Sequence, residues 1–278
     1  MSLTVGSGPF GRAPGGVFNF EPPEGVLYFE DSPRWVRAVF NGETIVDSRC
    51  AKLLHESGHL PVYYFPEADV RMDLLEQTDR STHCPLKGDA AYWSVRVGDR
   101  VAENAAWSYP EPIAGAPPLA GLLAFYWRAL DAWFEEDEEV FVHPRDPYHR
   151  VDVLGTSRQV RIAVHGGTVA ESGRALVLFE TGLPPRYYLP PEDVRADVLV
   201  PSETTTRCPY KGVASYWSVE AGGTLEDDLV WSYQEPVRQV AELAGRLCFF
   251  NERVDLELDG ELQERPQTQW SPGARAAR

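Results

Sequence analysis

Short runs of alternating apolar and polar residues, separated by glycine, proline and asparagine, make up most of this chain. Segment 35–48, WVRAVFNGETIVDS, alternates on both sides of Asn41-Gly42, a dipeptide that accepts the positive φ angles of a tight hairpin turn. Segment 159–172, QVRIAVHGGTVAES, repeats the pattern and predicts a second hairpin that turns at Gly166-Gly167. Strands joined by tight turns are therefore expected.

Aromatic and β-branched segments extend the strand pattern. PVYYFP (61–66) and PRYYLP (185–190) are short aromatic strands bounded by prolines. PEADVRMDLL (66–75) and PEDVRADVLV (191–200) each predict one or two turns of helix, because proline followed by acidic residues suits a helical first turn. AAYWSVRV, AAWSYPEP and AFYWRALDAWFE predict further strands. The expected fold is mainly β, with a small bent sheet or barrel-like domain that carries one short helix.

One string occurs twice. STHCPLKGDAAYWSV (81–95) and TTTRCPYKGVASYWSV (204–219) share Thr-x-Cys-Pro-x-Lys-Gly-x-Ala-x-Tyr-Trp-Ser-Val, which places Cys84 and Cys208 124 positions apart. The same offset superposes residues over most of each half of the chain without an insertion. Solenoid repeats have periods of about 20 to 50 residues, so this longer offset predicts a duplicated domain.

The repeat divides the chain into five parts. We expect a Gly/Pro-rich N-terminal segment (1–32), a first repeat domain (33–136), a linker (137–156), a second repeat domain (157–260) and a C-terminal tail (261–278). Each repeat has an ordinary domain size. The duplication predicts either a monomer with internal pseudo-symmetry or a homodimer.

The composition of the chain limits the classes of partner and cofactor that it is expected to bind. The 278 residues carry a formal net charge of -16, which disfavours nucleic acid as the main partner because phosphate backbones are bound mostly by cations. The N-terminus lacks a basic head followed by an apolar block, and no apolar run reaches about 18 residues, so no membrane partner is expected and a cytoplasmic location is predicted. The 4 cysteines form no Cys-x-x-Cys pair and the 6 histidines are scattered, so no metal site is predicted and no cofactor is indicated.

The duplicated Cys-Pro-x-Lys-Gly string supplies the catalytic candidates Cys84, Lys87, Cys208 and Lys211. A lysine near a cysteine lowers the thiol pKa and creates a nucleophile, whereas a buried cysteine beside a proline turn is simply structural. We predict unreactive thiols that support a pocket wall, with the lysines at the rim of a cleft, because a lysine is costly to bury.

Two further sets are duplicated. Asp69, Arg71, Asp193 and Arg195 could bind Mg²⁺ or a phosphate, or could pair at the surface as structural residues. Neighbouring aromatic residues on strands point to opposite faces, so some pack in a core and others line a pocket for a small anionic, nucleotide-like or carbonyl-bearing ligand. The aromatic candidates are Tyr64, Tyr92, Trp107, Tyr109, Tyr188, Tyr216, Trp231 and Tyr233.

The segments VYYFPEADVRMDLLEQTDRSTHCPLKGDAAYWSV, AAWSYPEP and LLAFYWRALDAWFEE resemble the bacterial domain of unknown function 427, and so does the second copy. The resemblance implies a small, mainly β domain of cytosolic bacterial proteins, here in tandem, labelled nucleotidyltransferase-like but without agreed catalytic residues. Familiar nucleotidyltransferases use a Gly-Ser pair followed by paired aspartates, or a Gly-rich phosphate loop, and neither complete pattern is recognised in this chain.

Three functions follow from these patterns. We favour a small-molecule-binding module with duplicated pockets lined by aromatic residues and lysine. The alternatives are an enzyme of thiol-dependent or nucleotidyltransferase-like type, and a structural or interaction protein. The copies diverge near their ends, where Trp127 becomes Asn251, so their pockets need not be equivalent.

Overall fold

The computed structural model describes residues 3–273 and divides the chain into two compact units, Met1–Tyr148 and His149–Arg278. Each unit contains one seven-stranded and one four-stranded sheet, and every strand pair is antiparallel. The strand order is the same in both units. The mainly β prediction is confirmed, with open sheets in place of a closed barrel.

The first unit contains eleven strands. They are β1 (Leu27–Asp31), β2 (Val36–Phe40), β3 (Glu43–Ser48), β4 (Lys52–Glu56), β5 (Val62–Pro66), β6 (Leu75–Cys84), β7 (Gly88–Val97), β8 (Arg100–Ser108), β9 (Leu122–Phe125), β10 (Ala132–Glu135) and β11 (Glu138–Glu139). The larger sheet has the order β1-β4-β5-β9-β8-β7-β6, and the smaller has the order β11-β10-β2-β3.

The second unit repeats these strands. They are β12 (Val151–Gly155), β13 (Val160–Val164), β14 (Gly167–Ser172), β15 (Leu176–Glu180), β16 (Arg186–Leu189), β17 (Leu199–Cys208), β18 (Gly212–Ala221), β19 (Thr224–Pro236), β20 (Leu247–Phe249), β21 (Asp255–Leu258) and β22 (Glu261–Leu262). The sheets have the orders β12-β15-β16-β20-β19-β18-β17 and β14-β13-β21-β22. Strands β1 and β12 lie before residues 33 and 157, at which the sequence repeat predicts that the two domains begin.

The helical segments are short 3₁₀ helices. Two of them occupy each segment for which one or two helical turns are predicted, and a third interrupts the strand expected in AFYWRALDAWFE. They are Glu67–Asp69, Met72–Leu74, Trp127–Ala129, Pro191–Asp193, Ala196–Val198 and Arg238–Leu243. Within residues 3–273, no helix has the length and apolar character needed to cross a membrane.

The two hairpin turns occupy equivalent positions. Asn41 and Gly42 have φ angles of 48° and 82°, as the sequence predicts. In the second unit the turn residues are His165 and Gly166, with φ angles of 50° and 79°, so the prediction of Gly166-Gly167 is wrong by one position. Histidine tolerates the left-handed region better than most residues, which lets it take the place of asparagine.

The two sheets of each unit enclose a hydrophobic core. In the first unit Phe65 and Leu123 from the larger sheet pack in one buried cluster with Val36 and Trp133 from the smaller. Because side chains alternate along a strand, Tyr64 points to the opposite side of the larger sheet. The second unit has the same division between an inner core and an opposite, outer side.

Candidate functional site

The predicted aromatic residues gather on the outer side of each seven-stranded sheet. We call this surface the outer aromatic face; it consists of Tyr64, Tyr92, Trp107 and Tyr109 in the first unit and of Tyr188, Tyr216, Trp231 and Tyr233 in the second. Strands β5, β7 and β8 supply Tyr64, Tyr92 and Trp107, and Tyr109 follows the last residue of β8; β16, β18 and β19 supply the second set. The structure therefore unites eight of the predicted residues in two equivalent clusters.

The tyrosine hydroxyls of these clusters lie in a poorly solvated environment. Burial raises the pKa of Tyr64 and Tyr109 in the first unit, and the neighbouring Glu56 and Cys84 act in the same direction. Burial likewise raises the pKa of Tyr188, Tyr216 and Tyr233 in the second unit. These hydroxyls stay protonated at neutral pH and serve as neutral donors and acceptors of hydrogen bonds.

Each predicted lysine is buried in an ion pair with the glutamate that ends the fourth strand of its unit, β4 or β15. Lys87 pairs with Glu56 and Lys211 pairs with Glu180, and these lysines are only 6% and 8% exposed. The expectation that the lysines lie at the rim of a cleft is therefore wrong, because a carboxylate compensates the cost of burying the ammonium group. The glutamates also share the 124-residue offset, a signal that sequence reasoning missed.

A tight turn holds each lysine in place. The amide of Lys87 donates to the Cys84 carbonyl at 3.2 Å, and the Lys87 carbonyl accepts from Ile113 at 3.2 Å. Gly88, which follows, has a φ of 102°, and a Cβ atom there would lie 3.2 Å from the Glu111 carbonyl oxygen. Glycine is therefore required for both conformation and space, which explains the Lys-Gly pair in the repeated string.

The second unit adds a histidine to this ion pair. His149 Nε2 lies 3.0 Å from Glu180 Oε1, and its ring stacks on Tyr210 with the ring centroids 3.9 Å apart. Burial opposes ionisation of Glu180, but Lys211 and His149 outweigh it and lower the pKa of this carboxyl to about 2. The first unit has Gly25 near Leu86 at the corresponding positions, so its pair lacks this third member.

The cysteines differ in exposure. Cys84 and Cys208 are half-buried, Cys50 is exposed, and Cys248 is buried. Burial lowers the pKa of Lys211, but Glu180 and the adjacent Cys208 thiol raise it to a net value above the ordinary one. Burial raises the pKa of Cys248. Because a glutamate already neutralises each lysine, neither lysine is dedicated to stabilising a thiolate.

Two residues outside the predicted set complete the first outer aromatic face. Tyr126 is 44% exposed and lies against Trp107, with the ring centroids 4.6 Å apart. Arg80 places its guanidinium 4.6 Å from the Tyr92 ring centroid, and Thr82 hydrogen bonds to the Tyr92 hydroxyl at 2.8 Å. Burial and a hydrogen bond with Tyr92 raise the pKa of Tyr126, whereas nearby Arg80 lowers it. An exposed ring and a cation thus adjoin the same buried tyrosine.

The equivalent part of the second unit has different chemistry. Phe250 replaces Tyr126 and lies 4.5 Å from Trp231 between ring centroids. Arg186 donates two hydrogen bonds to Glu252, at 2.7 and 2.6 Å, and both side chains are buried. At the position of Arg80 the second unit has Thr204, which donates to Asp228 at 2.7 Å. The sequence repeat does not predict the Arg186–Glu252 pair, because the first copy has Val62 at the position of Arg186 and Arg128 at the position of Glu252.

The comparison with protein families establishes what the chain is. The family model described as Domain of unknown function (DUF427) matches residues 28–136 and again residues 152–260. The chain is a tandem DUF427 protein. This confirms the resemblance seen in the sequence, and each match lies within one of the two structural units. No curated protein matches the chain.

The Asp/Arg candidates of both DUF427 domains lie away from the outer aromatic faces and make local contacts. Asp69 accepts a hydrogen bond of 2.6 Å from Ser48, and Arg71 donates to both oxygens of Asp73. The second domain repeats both contacts at the equivalent positions: Ser172 with Asp193, and Arg195 with Asp197. Within residues 3–273, no group of three or more His, Cys, Asp or Glu side chains is placed to hold a metal ion.

A cavity of about 430 Å³ lies in the first DUF427 domain beside the edge strand β6. Arg80, Gly88, Ala90 and Glu111 are among its lining residues. The cavity therefore adjoins the Lys-Gly turn and the exposed arginine, although Lys87 itself and the four rings of the outer aromatic face do not line it.

Proposed function

We propose that this protein is a small-molecule-binding module whose ligand is flat and anionic, and that the first DUF427 domain binds it at the outer aromatic face. The observation that carries the proposal is the combination of an exposed ring, Tyr126, in tilted contact with Trp107, and the exposed guanidinium of Arg80 beside the same cluster. An aromatic group of a ligand would stack on Tyr126, and its anionic group would pair with Arg80.

Physical chemistry favours this ligand class. Stacking of a flat ring on an aromatic side chain is worth about 1 to 3 kcal/mol, as measured for nucleic-acid bases. Among residues 3–273, no carboxylate lies within 4.0 Å of the Arg80 guanidinium, so its charge is open to a ligand. The chain as a whole carries a net charge of -16, so anions are repelled except where a local cation attracts them. A nucleotide is one member of this class.

The Lys87–Glu56 pair has a supporting role in the proposal. Its two charges compensate each other, and the Lys87 ammonium group lies 5.8 Å from the Tyr109 ring centroid, so the lysine does not need a ligand to balance its charge. The pair joins the Lys-Gly turn to β4 and thereby fixes the strands that carry Tyr64 and Tyr92. Ligand recognition thus belongs to the aromatic residues and Arg80.

A thiol-dependent enzyme is the second candidate, favoured by the interaction of Cys208 with Lys211. A nucleophilic thiolate requires a cation that stabilises it and access for a substrate. Glu180 competes for the same ammonium group, so this function needs a state in which the Lys211–Glu180 pair opens.

Thermal melting of the full-length protein tests the proposal, because a ligand that binds only the folded state raises the melting temperature. The panel contains AMP, which has a ring and an anionic group, together with adenosine, inorganic phosphate and benzoate. We expect AMP and benzoate to raise the melting temperature more than adenosine or phosphate at equal concentration. If no compound with both groups stabilises the protein, the proposal is wrong.

Two variants locate the effect. Arg80→Gln removes the cation and should abolish the advantage of AMP over adenosine. Arg100→Gln is the matched control, since Arg100 also lies 4.6 Å from an aromatic centroid, that of Phe40 on the four-stranded sheet. We expect the control to retain the AMP response; equal loss in both variants would show that the response does not arise at the outer aromatic face.

A further inference from the structure

We infer, building on the proposed function, that the second DUF427 domain carries its own intramolecular ligand. We call residues 266–271 the C-terminal cap. Its Trp270 lies 6.3 Å from Phe250 between ring centroids, and the Arg186 guanidinium lies 5.5 Å from the Trp270 ring. Phe250 occupies the position of Tyr126, the exposed ring to which the proposed function assigns the ligand of the first domain.

The cap is anchored through polar contacts. The Thr268 hydroxyl donates to Glu252 at 2.5 Å, and the Trp270 amide donates to Thr268 Oγ1 at 3.1 Å. The Ser271 hydroxyl donates to the Pro266 carbonyl at 3.2 Å, which closes the segment on itself. Trp270 is thus presented to the rings by a compact turn that is attached to a buried carboxylate.

The Arg186–Glu252 pair explains why this face is covered. The Arg186 guanidinium lies within 6 Å of three ring centroids, at 5.6 Å from Trp231, 5.9 Å from Phe250 and 5.5 Å from Trp270. A cation held among rings is the arrangement that the proposed function expects when a flat ligand is bound. Here the third ring comes from the chain itself.

Among the described residues, 3–273, the equivalent positions of the first domain do not form this arrangement. Val62 replaces Arg186, Arg128 replaces Glu252, and Tyr126 is 44% exposed. Trp270 itself is 37% exposed and lies outside every strand of residues 3–273, so it can be replaced without disturbing the sheets. The outer aromatic face of the first domain is therefore open to a ligand, and that of the second becomes open only when the cap leaves.

The experiment counts bound molecules of 8-anilinonaphthalene-1-sulfonate, an anion with a flat naphthalene ring, on the full-length protein by calorimetry and fluorescence. We expect one molecule for the wild type and two for Trp270→Ala. Thr268→Val, which removes the hydroxyl that anchors the cap, should also raise the count above one. Gln269→Ala alters an exposed neighbour in the same segment and should leave the count at one.

The outcomes separate the cap from the proposed function. The inference that the cap occupies the second domain's site is wrong if the wild type, Trp270→Ala and Thr268→Val each bind one molecule. It is also wrong if the wild type binds two. If the wild type binds none and Trp270→Ala binds one molecule, the proposed site of the first domain is rejected, and the inference that the cap covers the second domain's site is supported. No binding by any variant rejects both. A thermal melt of each variant verifies that it is folded.

Discussion

The two DUF427 domains agree in the turn that carries lysine and differ in the surface above it. Both domains bury a lysine against the glutamate that ends β4 or β15, and Gly88 and Gly212 share a φ of 102°. Above this level the first domain presents Tyr126 and Arg80, whereas the second presents Phe250 beneath Trp270. The comparison indicates that the ion pair and turn are requirements of the fold, while the outer residues determine what each domain binds.

The ion pairs themselves differ in their surroundings. Glu56 retains 19% exposure of its side chain, whereas Glu180 retains 6% and also contacts His149. The stability of the second domain therefore depends more on its carboxylate than that of the first, because water reaches Glu180 less readily than Glu56. This difference gives the largest expected effects.

Glu180→Ala should destabilise the second domain by about 3 to 5 kcal/mol, the usual cost of leaving a buried charge without its partner. Glu56→Ala should cost the first domain less, because water can solvate Lys87 through the space that the more exposed Glu56 vacates. Hydrogen exchange followed by mass spectrometry reports each domain separately in the full-length chain. A larger loss of protection in the first domain than in the second would contradict the comparison.

Acid should weaken the second domain through the same carboxyl group. Lys211 and His149 hold the folded-state pKa of Glu180 at about 2, below its ordinary value of 4.5. A lowered pKa means that the ionised carboxylate stabilises the folded domain above pH 4.5, and that this contribution is lost as the pH falls toward about 2.

Urea unfolding at a series of pH values, compared with Glu180→Gln, measures this loss. The wild type should lose its advantage over the variant between about pH 5 and pH 2. An advantage that is independent of pH over this range would show that Glu180 is not held ionised by its partners.

Substituting the turn glycines tests what the domains share. Gly88→Ala and Gly212→Ala should each cost more than about 1 kcal/mol, because alanine is strained at positive φ and its Cβ would lie 3.2 Å from a carbonyl oxygen. Gly42→Ala is the control, since a Cβ at that positive-φ position meets no atom within 4 Å. We expect similar losses at the first two positions and a smaller one at the control. Markedly unequal losses at Gly88 and Gly212 would show that the turns are not equivalent.

The smallest expected difference is between the cysteines of the two turns. Labelling with iodoacetamide at neutral pH, with the adducts mapped by mass spectrometry, should modify Cys50 first and leave Cys248 unmodified, in line with their exposure. Cys84 and Cys208 should react slowly and at similar rates. Rapid labelling of either, ahead of Cys50, would support the thiol-dependent alternative.

Much of the fold follows from the sequence because the repeat constrains it. The constant offset predicts two copies of one domain, and Asn41-Gly42 predicts the first hairpin turn correctly. Applying the offset to Asn41 gives His165, so the repeat itself contains the correct turn, which the glycine pair obscured.

The candidate site is only partly predictable, because its decisive contacts join distant residues. Lys87 and Glu56 are 31 positions apart, and burial of the lysine cannot be deduced before β4 and the turn are known to adjoin. Arg186 and Glu252 are 66 positions apart and have no counterparts in the first copy, so no sequence pattern links them. Trp270 lies in a segment that composition alone assigns to a tail.

The most direct test follows the two equivalent tryptophans, Trp107 and Trp231, by fluorine NMR of the full-length protein labelled with 5-fluorotryptophan. Trp→Phe variants assign the two resonances, and the protein is then titrated with 8-anilinonaphthalene-1-sulfonate. We predict that the Trp107 resonance shifts as the probe binds, while the Trp231 resonance stays unchanged until Trp270 is replaced by alanine. A Trp231 resonance that shifts in the wild type at the same or lower probe concentration, or a Trp107 resonance that never shifts, would contradict this prediction.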